Sequence, residues 1–259
     1  MFVSQSFWGR RLLAAGIHLG LSVLVAGLAA WLVFGVWYPY PYREISGGRE
    51  LFMIVVAVDV VMGPLLTFTV FNVKKPIKEL RRDLAVIALL QLSALGYGLW
   101  TVAVARPVHL VFEMDRFRVV HAIDVPEEEL KQAPAGLEHL PLAGPTLLSL
   151  REFANEKESF DATMAALQGA SLSARPGLWQ AYEKARPKIL AIARPLEQLK
   201  SRFPARVTEI DAALKSAAAA GRAAGSVSYL PMVGRQIFWT VLLDSNTAEV
   251  IAFVPIDSF

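Results

Sequence analysis

The feature that most constrains this chain is where its charges are missing. Between Arg11 and Arg43 no Asp, Glu, Lys or Arg occurs, Leu51–Phe71 holds a single charged residue, Asp59, and Leu84–Ala105 holds none. Each stretch meets the roughly 20 apolar residues needed to cross a hydrocarbon core about 30 Å thick. In that medium a lone segment must satisfy its own backbone N–H and C=O groups, which only a helix does. The sequence predicts three N-terminal transmembrane α-helices. The first reads as an uncleaved helix, because its uncharged run exceeds a signal peptide's apolar region of roughly 7–15 residues and two more spans follow.

Basic residues set the orientation. The short loop over Asn72–Asp83 carries Lys74, Lys75, Lys78, Arg81 and Arg82 against Glu79 and Asp83, whereas the first loop balances Arg43 and Arg49 against Glu44 and Glu50. Arg10 and Arg11 precede the first span. The expected order is N-terminus in, first loop out, second loop in, and the remaining chain outside, which for a bacterial inner membrane means the periplasm. Trp37, Tyr38, Tyr40 and Tyr42 are then expected as an aromatic belt at the outer interface. The predicted division is a membrane domain over 1–106 and one exported domain over 107–259.

Ordinary charge density returns after Pro107, and the tail is long enough for one compact domain. Val108–Glu113 and Phe117–Ile123 read as strands around a turn at Met114-Asp115-Arg116. Gln236–Leu243 and Ala248–Val254 read as a second pair around Asp244-Ser245-Asn246-Thr247, residue types that suit a hairpin turn. Between them, Phe153, Phe160, Met164 and Leu167 fall at helical spacing in Arg151–Gly169. Leu178, Tyr182, Ile189, Leu196 and Leu199 continue the pattern at spacings of four, seven, seven and three, divided by Pro187 and Pro195. The fold class expected is a three-helix membrane anchor plus a periplasmic α+β domain, its terminal hairpins sharing one sheet.

Chemistry is sparse. The chain has no cysteine, which excludes disulfides, thiolate nucleophiles and Cys-ligated metals. His18, His109, His121 and His139 show no metal-ligand spacing. No phosphate loop, GxGxxG or nucleophile elbow occurs, and Glu127-Glu128-Glu129 reads as a solvated helix start. No cofactor is expected. The net charge of +3 arises from 26 Lys+Arg against 23 Asp+Glu, and much of the excess lies in membrane-flanking loops, so nucleic acid is not an expected partner. The lipid bilayer is.

Asp59 is the sharpest single residue, since an ionisable group inside a membrane is costly and usually faces a partner. That partner is either a helix of another protein or a group within this bundle. At about 1.5 Å per residue, Asp59 lies about 18 Å from the cytoplasmic end of its span and Tyr97 at about 20 Å. His18 and Gln91 lie near 10 Å by the same rise. Tyr97 is therefore the expected internal partner. Pro64 frees the carbonyl of Val60 and predicts a kink beside Asp59. Gly16, Gly20 and Gly27 share one face of the first helix, a small-residue stripe expected to pack within the bundle. The candidate binding set is His18, Asp59, Pro64, Gln91 and Tyr97.

The membrane half resembles the TfpX/TfpZ family of type IV pilin accessory proteins. The likeness rests on Val36-Trp37-Tyr38-Pro39, on Asp59 with Gly63-Pro64-Leu65-Leu66-Thr67, and on Val70-Phe71-Asn72 with Lys74-Lys75. Glu79-Leu80-Arg81-Arg82-Asp83-Leu84, Gln91-Leu92, Tyr97-Gly98, Arg106-Pro107-Val108 and Asp115-Arg116-Phe117 complete it, within roughly residues 10–125. The resemblance implies a non-enzymatic inner-membrane helper that binds type IV pilin, the major subunit, as a chaperone or assembly modulator. A membrane enzyme modifying pilin would want more spans and a polar site. A periplasmic sensor would want a cytoplasmic signalling domain. Beyond residue 125 the likeness is one of general character.

Overall fold

A computed structural model describes the backbone over residues 3–235 and 237–259, and side chains over 8–50, 52–235 and 237–259. The chain forms two compact units, 1–105 and 106–259.

The first unit is three long apolar helices. Trp8–Trp37, Gly48–Val70 and Ile77–Val104 are each long and apolar enough to cross a membrane, and are called α1, α2 and α3. Two of them end or bend through π-helical turns, Trp31–Trp37 in α1 and Val58–Met62 in α2. Each π segment stops two residues short of a proline, Pro39 and Pro64. A proline ring displaces the preceding turn and has no N–H to give, and a widened turn is one way a helix accommodates it.

The ends of α1 and α3 are pinned together by Tyr38. Its ring is fully buried with Val33, Phe52 and Val102, and its hydroxyl donates to the Val102 carbonyl at 3.0 Å. That carbonyl lies in the last turn of α3, where helix acceptors lack intrahelical partners. Gly48 lets the ring approach, since a Cβ there would meet Tyr38 at 2.5 Å. Tyr38 and Tyr42 are thus core residues, and Tyr40 is the exposed member of the group. The expected four-residue belt is corrected accordingly: Pro39 and Pro41 turn the chain back, and the turn points two tyrosines inward. The glycine stripe is corrected as well. A Cβ at Gly16, Gly20 or Gly27 would meet nothing within 4 Å, so that face packs on no other helix described here.

The second unit is α+β, built on one mixed sheet. Its strands are β1 (Pro107–Glu113), β2 (Arg116–His121), β3 (Thr146–Leu150), β4 (Trp179–Ala181), β5 (Arg194–Pro195), β6 (Val227–Val233), β7 (Phe238–Asp244) and β8 (Val250–Val254). Their order is β4-β3-β1-β2-β6-β7-β8, with β5 paired to β6. β1 and β3 run parallel, as do β2 and β6, and the other pairs are antiparallel. The terminal hairpins do share one sheet, joined through β6. All seven residues of β1 are buried, as befits a strand covered on both faces. The turn before β8 is held by Asp244, whose Oδ1 accepts from the Asn246 and Thr247 amides at 2.7 and 2.9 Å. Gln236, the first residue of the expected strand there, lies outside the described residues.

The helices are α4 (Glu156–Leu167), α5 (Arg186–Ile192), α6 (Leu196–Arg202) and α7 (Val207–Ala219). Leu199, Ile210 and Ala217 pack with Tyr229, Leu242 and Val254 of the sheet. The stripe at Leu178, Tyr182, Ile189 and Leu199 is buried, but no continuous helix carries it. Pro187 and Pro195 instead start separate short helices, the positions proline tolerates best. The expectation for α4 is overturned in facing. Phe160 and Leu167 are 64% and 76% exposed, and the buried residue is Ala162, packed with Leu172 and Leu178. The N-terminus of α4 is fixed by Asn155, which accepts from the Glu158 amide, and by a two-bond Arg151–Glu158 pair. Close packing on the 172–178 segment favours the small residue, and the larger side chains point outward.

Candidate functional site

Polar side chains in a membrane-spanning bundle stand out because lipid offers them nothing. Four gather near the centre of the first unit: His18 of α1, Asp59 and Thr67 of α2, and Gln91 of α3. His18 Nδ1 and Thr67 Oγ1 are 2.5 Å apart. Gln91 Nε2 donates to the backbone carbonyl of Asp59 at 3.2 Å. Ser22, one turn beyond His18, is buried beside them.

The Gln91 bond follows from the π-turn. In an α-helix Pro64 would orphan the carbonyl four residues back, Val60, as the sequence led us to expect. In a π-turn the hydrogen bond spans five residues, so the orphan shifts by one to Asp59. Gln91 fills that vacancy from the neighbouring helix. Its approach requires Gly63, where any Cβ would collide with the Gln91 amide. The same extra residue brings Thr67 onto the face of Asp59, since eight residues with one looped out turn the helix like seven. Thr67 entered the sequence analysis only as part of a family motif and Ser22 not at all; the available signals were the Asp59–Thr67 spacing across Pro64 and the i, i+4 spacing of Ser22 from His18.

These residues line an open groove of about 470 Å³. Its floor is α2, one wall is α1 from Ala14 to Val25, and the other is α3 from Leu84 to Leu95. Both outer helices pack on α2. Asp59 is 8% exposed, and its Oδ1 is buried without a hydrogen-bond partner. Tyr97 is elsewhere. It is 70% exposed, lies beside Trp100 with ring centroids 5.8 Å apart, and lines a separate cleft with Val55 and Val58. Tyr97 is therefore not the internal partner of Asp59. Equal depth put the two level, but six residues from Gln91 to Tyr97 turn α3 by about 600°, which leaves Tyr97 about 120° away from the groove. The structure brings His18, Asp59 and Gln91 together beside the Pro64 bend, and leaves Tyr97 out.

In the second unit several buried polar side chains are tied into the fold. His109 Nδ1 lies 2.7 Å from Thr146 Oγ1, with its ring edge-on to Trp179, and burial pushes its imidazole down to about 4. His121 caps the turn at Asp124, whose carboxyl is held below the usual range by hydrogen bonding to His121 against the opposing effect of burial. Glu113 is shared by Arg118 and Ser173. Among the described residues no three His, Asp or Glu side chains converge as a metal site.

Three apolar helices with an open, largely apolar groove that has Asp59 and Thr67 on its floor, followed by a mixed-sheet domain, define a membrane-anchored α+β protein. The family model for the fimbrial assembly protein FimB matches residues 6–47. The chain is 39% identical over 247 residues to the fimbrial assembly protein of serogroup I of Dichelobacter nodosus, and 38% identical over the same length to that of serogroup E1, each alignment spanning 95% of both proteins. The serogroup C1 and C2 protein is 46% identical over 119 residues, 46% of this chain and 91% of the relative. The chain belongs to the fimbrial assembly protein family, and the likeness runs through the sheet domain as well as the anchor. No solved structure matches it.

Proposed function

We propose that this protein is an inner-membrane accessory factor of type IV pilus assembly that binds the major pilin and modulates its passage from membrane to fibre. The observation that carries this reading is the groove: a membrane bundle whose outer helices stand apart over a polar floor, in a chain whose full-length relatives are named for fimbrial assembly. The likeness of the membrane half to the TfpX/TfpZ pilin accessory proteins points the same way. The anchor keeps the protein where pilin waits before assembly, and the sheet domain, on the periplasmic side by the positive-inside rule, is placed to meet the pilin head. The reading is of a helper, not an enzyme.

Deleting the gene should reduce surface pili while leaving the covalent mass of pilin unaltered, and pilin should co-purify with the full chain in mild detergent. Normal piliation in the deletion strain refutes the proposal, and loss of a sugar or other modification from pilin refutes it in favour of a modifying enzyme.

A further inference from the structure

We propose that the groove between α1 and α3 receives a single apolar transmembrane helix that presents one hydrogen-bond donor, a hydroxyl or an ammonium, to the Asp59 carboxylate. The inference deepens the function proposed above, on which it rests for the occupant being pilin. It adds where in the bundle that occupant sits and the chemistry that holds it.

Shape is the first argument. The α1 wall is the stripe Ala14, His18, Leu21 and Val25, and the α3 wall is Leu84, Ala88, Gln91 and Leu95. Each repeats at three or four residues over eleven, so each wall is one helix face about 16 Å long. A trough of three turns, walled by two helices and floored by a third, is complementary to a fourth helix. Its interior of about 470 Å³ takes several side chains from one face of an incoming helix.

Chemistry is the second. Asp59 is at the midpoint of Gly48–Val70, lines the groove floor, is nine-tenths buried, and has a buried Oδ1 with no hydrogen-bond partner. His18 Nδ1 is taken by Thr67 and the Gln91 amide nitrogen by the Asp59 backbone carbonyl, and no described side chain bonds Asp59 Oδ1. A lipid acyl chain would fill the space and offer no donor, leaving the buried Oδ1 without a hydrogen bond. A protein helix carrying a donor at mid-depth supplies one. Exposed leucines at positions 21 and 92 flank the entrance and supply the apolar rim such a helix needs.

The test is site-specific photo-crosslinking in living cells, with benzoylphenylalanine at Leu21 or Leu92 on the groove and at Val23 or Leu90 on the opposite helix faces. The groove positions should capture the major pilin through its membrane helix, and the opposite positions at least about tenfold less. Asp59→Leu, compared at matched protein abundance, should lower capture about tenfold or more, the loss expected when a buried donor is left without its acceptor. Asp59→Asn, which keeps an acceptor, should lose less. Leu92→Trp, read from the probe at Leu21, narrows the groove while leaving the carboxylate intact, and should also lower capture. Equal capture from all four positions, capture insensitive to both Asp59→Leu and Leu92→Trp, or adducts to lipid or a second copy alone would each overturn the inference. If pilin still co-purifies in those cases, the groove is refuted and the assembly function stands; if pilin contacts no part of the chain, that function falls as well.

Discussion

The contact between Gly63 and Gln91 makes a prediction in which a substitution changes sign with its background. Gly63→Ala alone places a methyl against the Gln91 amide, an overpacking cost of about 1–3 kcal/mol. It also dislodges the donor from the Asp59 carbonyl, worth about 0.6 kcal/mol on the average for membrane proteins. Against these stands the gain from replacing glycine within a helix, up to about 1 kcal/mol. The net expectation is destabilisation by about 1–2 kcal/mol. In a Gln91→Ala background the collision and the hydrogen bond are both already gone, so Gly63→Ala should be neutral or stabilising by up to about 1 kcal/mol. The coupling between the sites is then about 2 kcal/mol, well outside the few tenths over which independent sites add. Reversible unfolding of the purified full chain in mixed micelles, for the wild type, both single variants and the double variant, measures it. Additive effects would refute the claim that Gly63 exists to admit Gln91.

Three further outcomes are expected. Tyr38→Phe removes the donor to the Val102 carbonyl and should cost about 1 kcal/mol of stability, read as a lower Tm of the purified protein in detergent. His109 is held neutral by burial, at about 4 instead of its ordinary 6.5; the unfolded chain binds the proton first, so its contribution is intact above pH 6.5 and is lost as pH falls towards 4. That loss is on the order of 3 kcal/mol, and the pH dependence of unfolding over that window should flatten in His109→Leu. Alkaline phosphatase fused after Phe259 should be active and the same reporter at Lys75 inactive, whereas reversal of both would invert the topology.

The membrane half was legible because lipid leaves a sequence little freedom. Three apolar runs of sufficient length, one of them carrying the lone charged residue Asp59, have one solution, and the three helices lie where those runs are. The hairpin strands β1–β2 and β7–β8 were legible for a similar reason: β-rich runs bounded by turn chemistry fix local pairing. β3, β4 and β6 were not, since β3 follows a Pro/Gly-rich loop, β4 has only three residues and β6 carries Pro231 in its interior. Their pairing is made by the rest of the sheet, as the parallel match of Phe117 and Arg118 with Met232 and Val233 shows.

By itself the sequence determined which residues are costly in lipid: His18, Asp59, Gln91 and the bend at Pro64 were all visible as polar or helix-breaking residues in apolar runs. The tertiary structure decided which of them meet. Depth along a helix can be counted from residue number, but azimuth depends on every turn having the same pitch, and the π-turn at Val58–Met62 breaks that assumption. One extra residue moved the open carbonyl from Val60 to Asp59 and brought Thr67 round to face His18. Tyr97, level with Asp59 by depth, faces away from the groove because the six residues from Gln91 carry it about a third of a turn around α3. The same limit holds in the sheet domain, where spacing identified an apolar stripe on α4 and only packing showed that Ala162, not Phe160, faces inward.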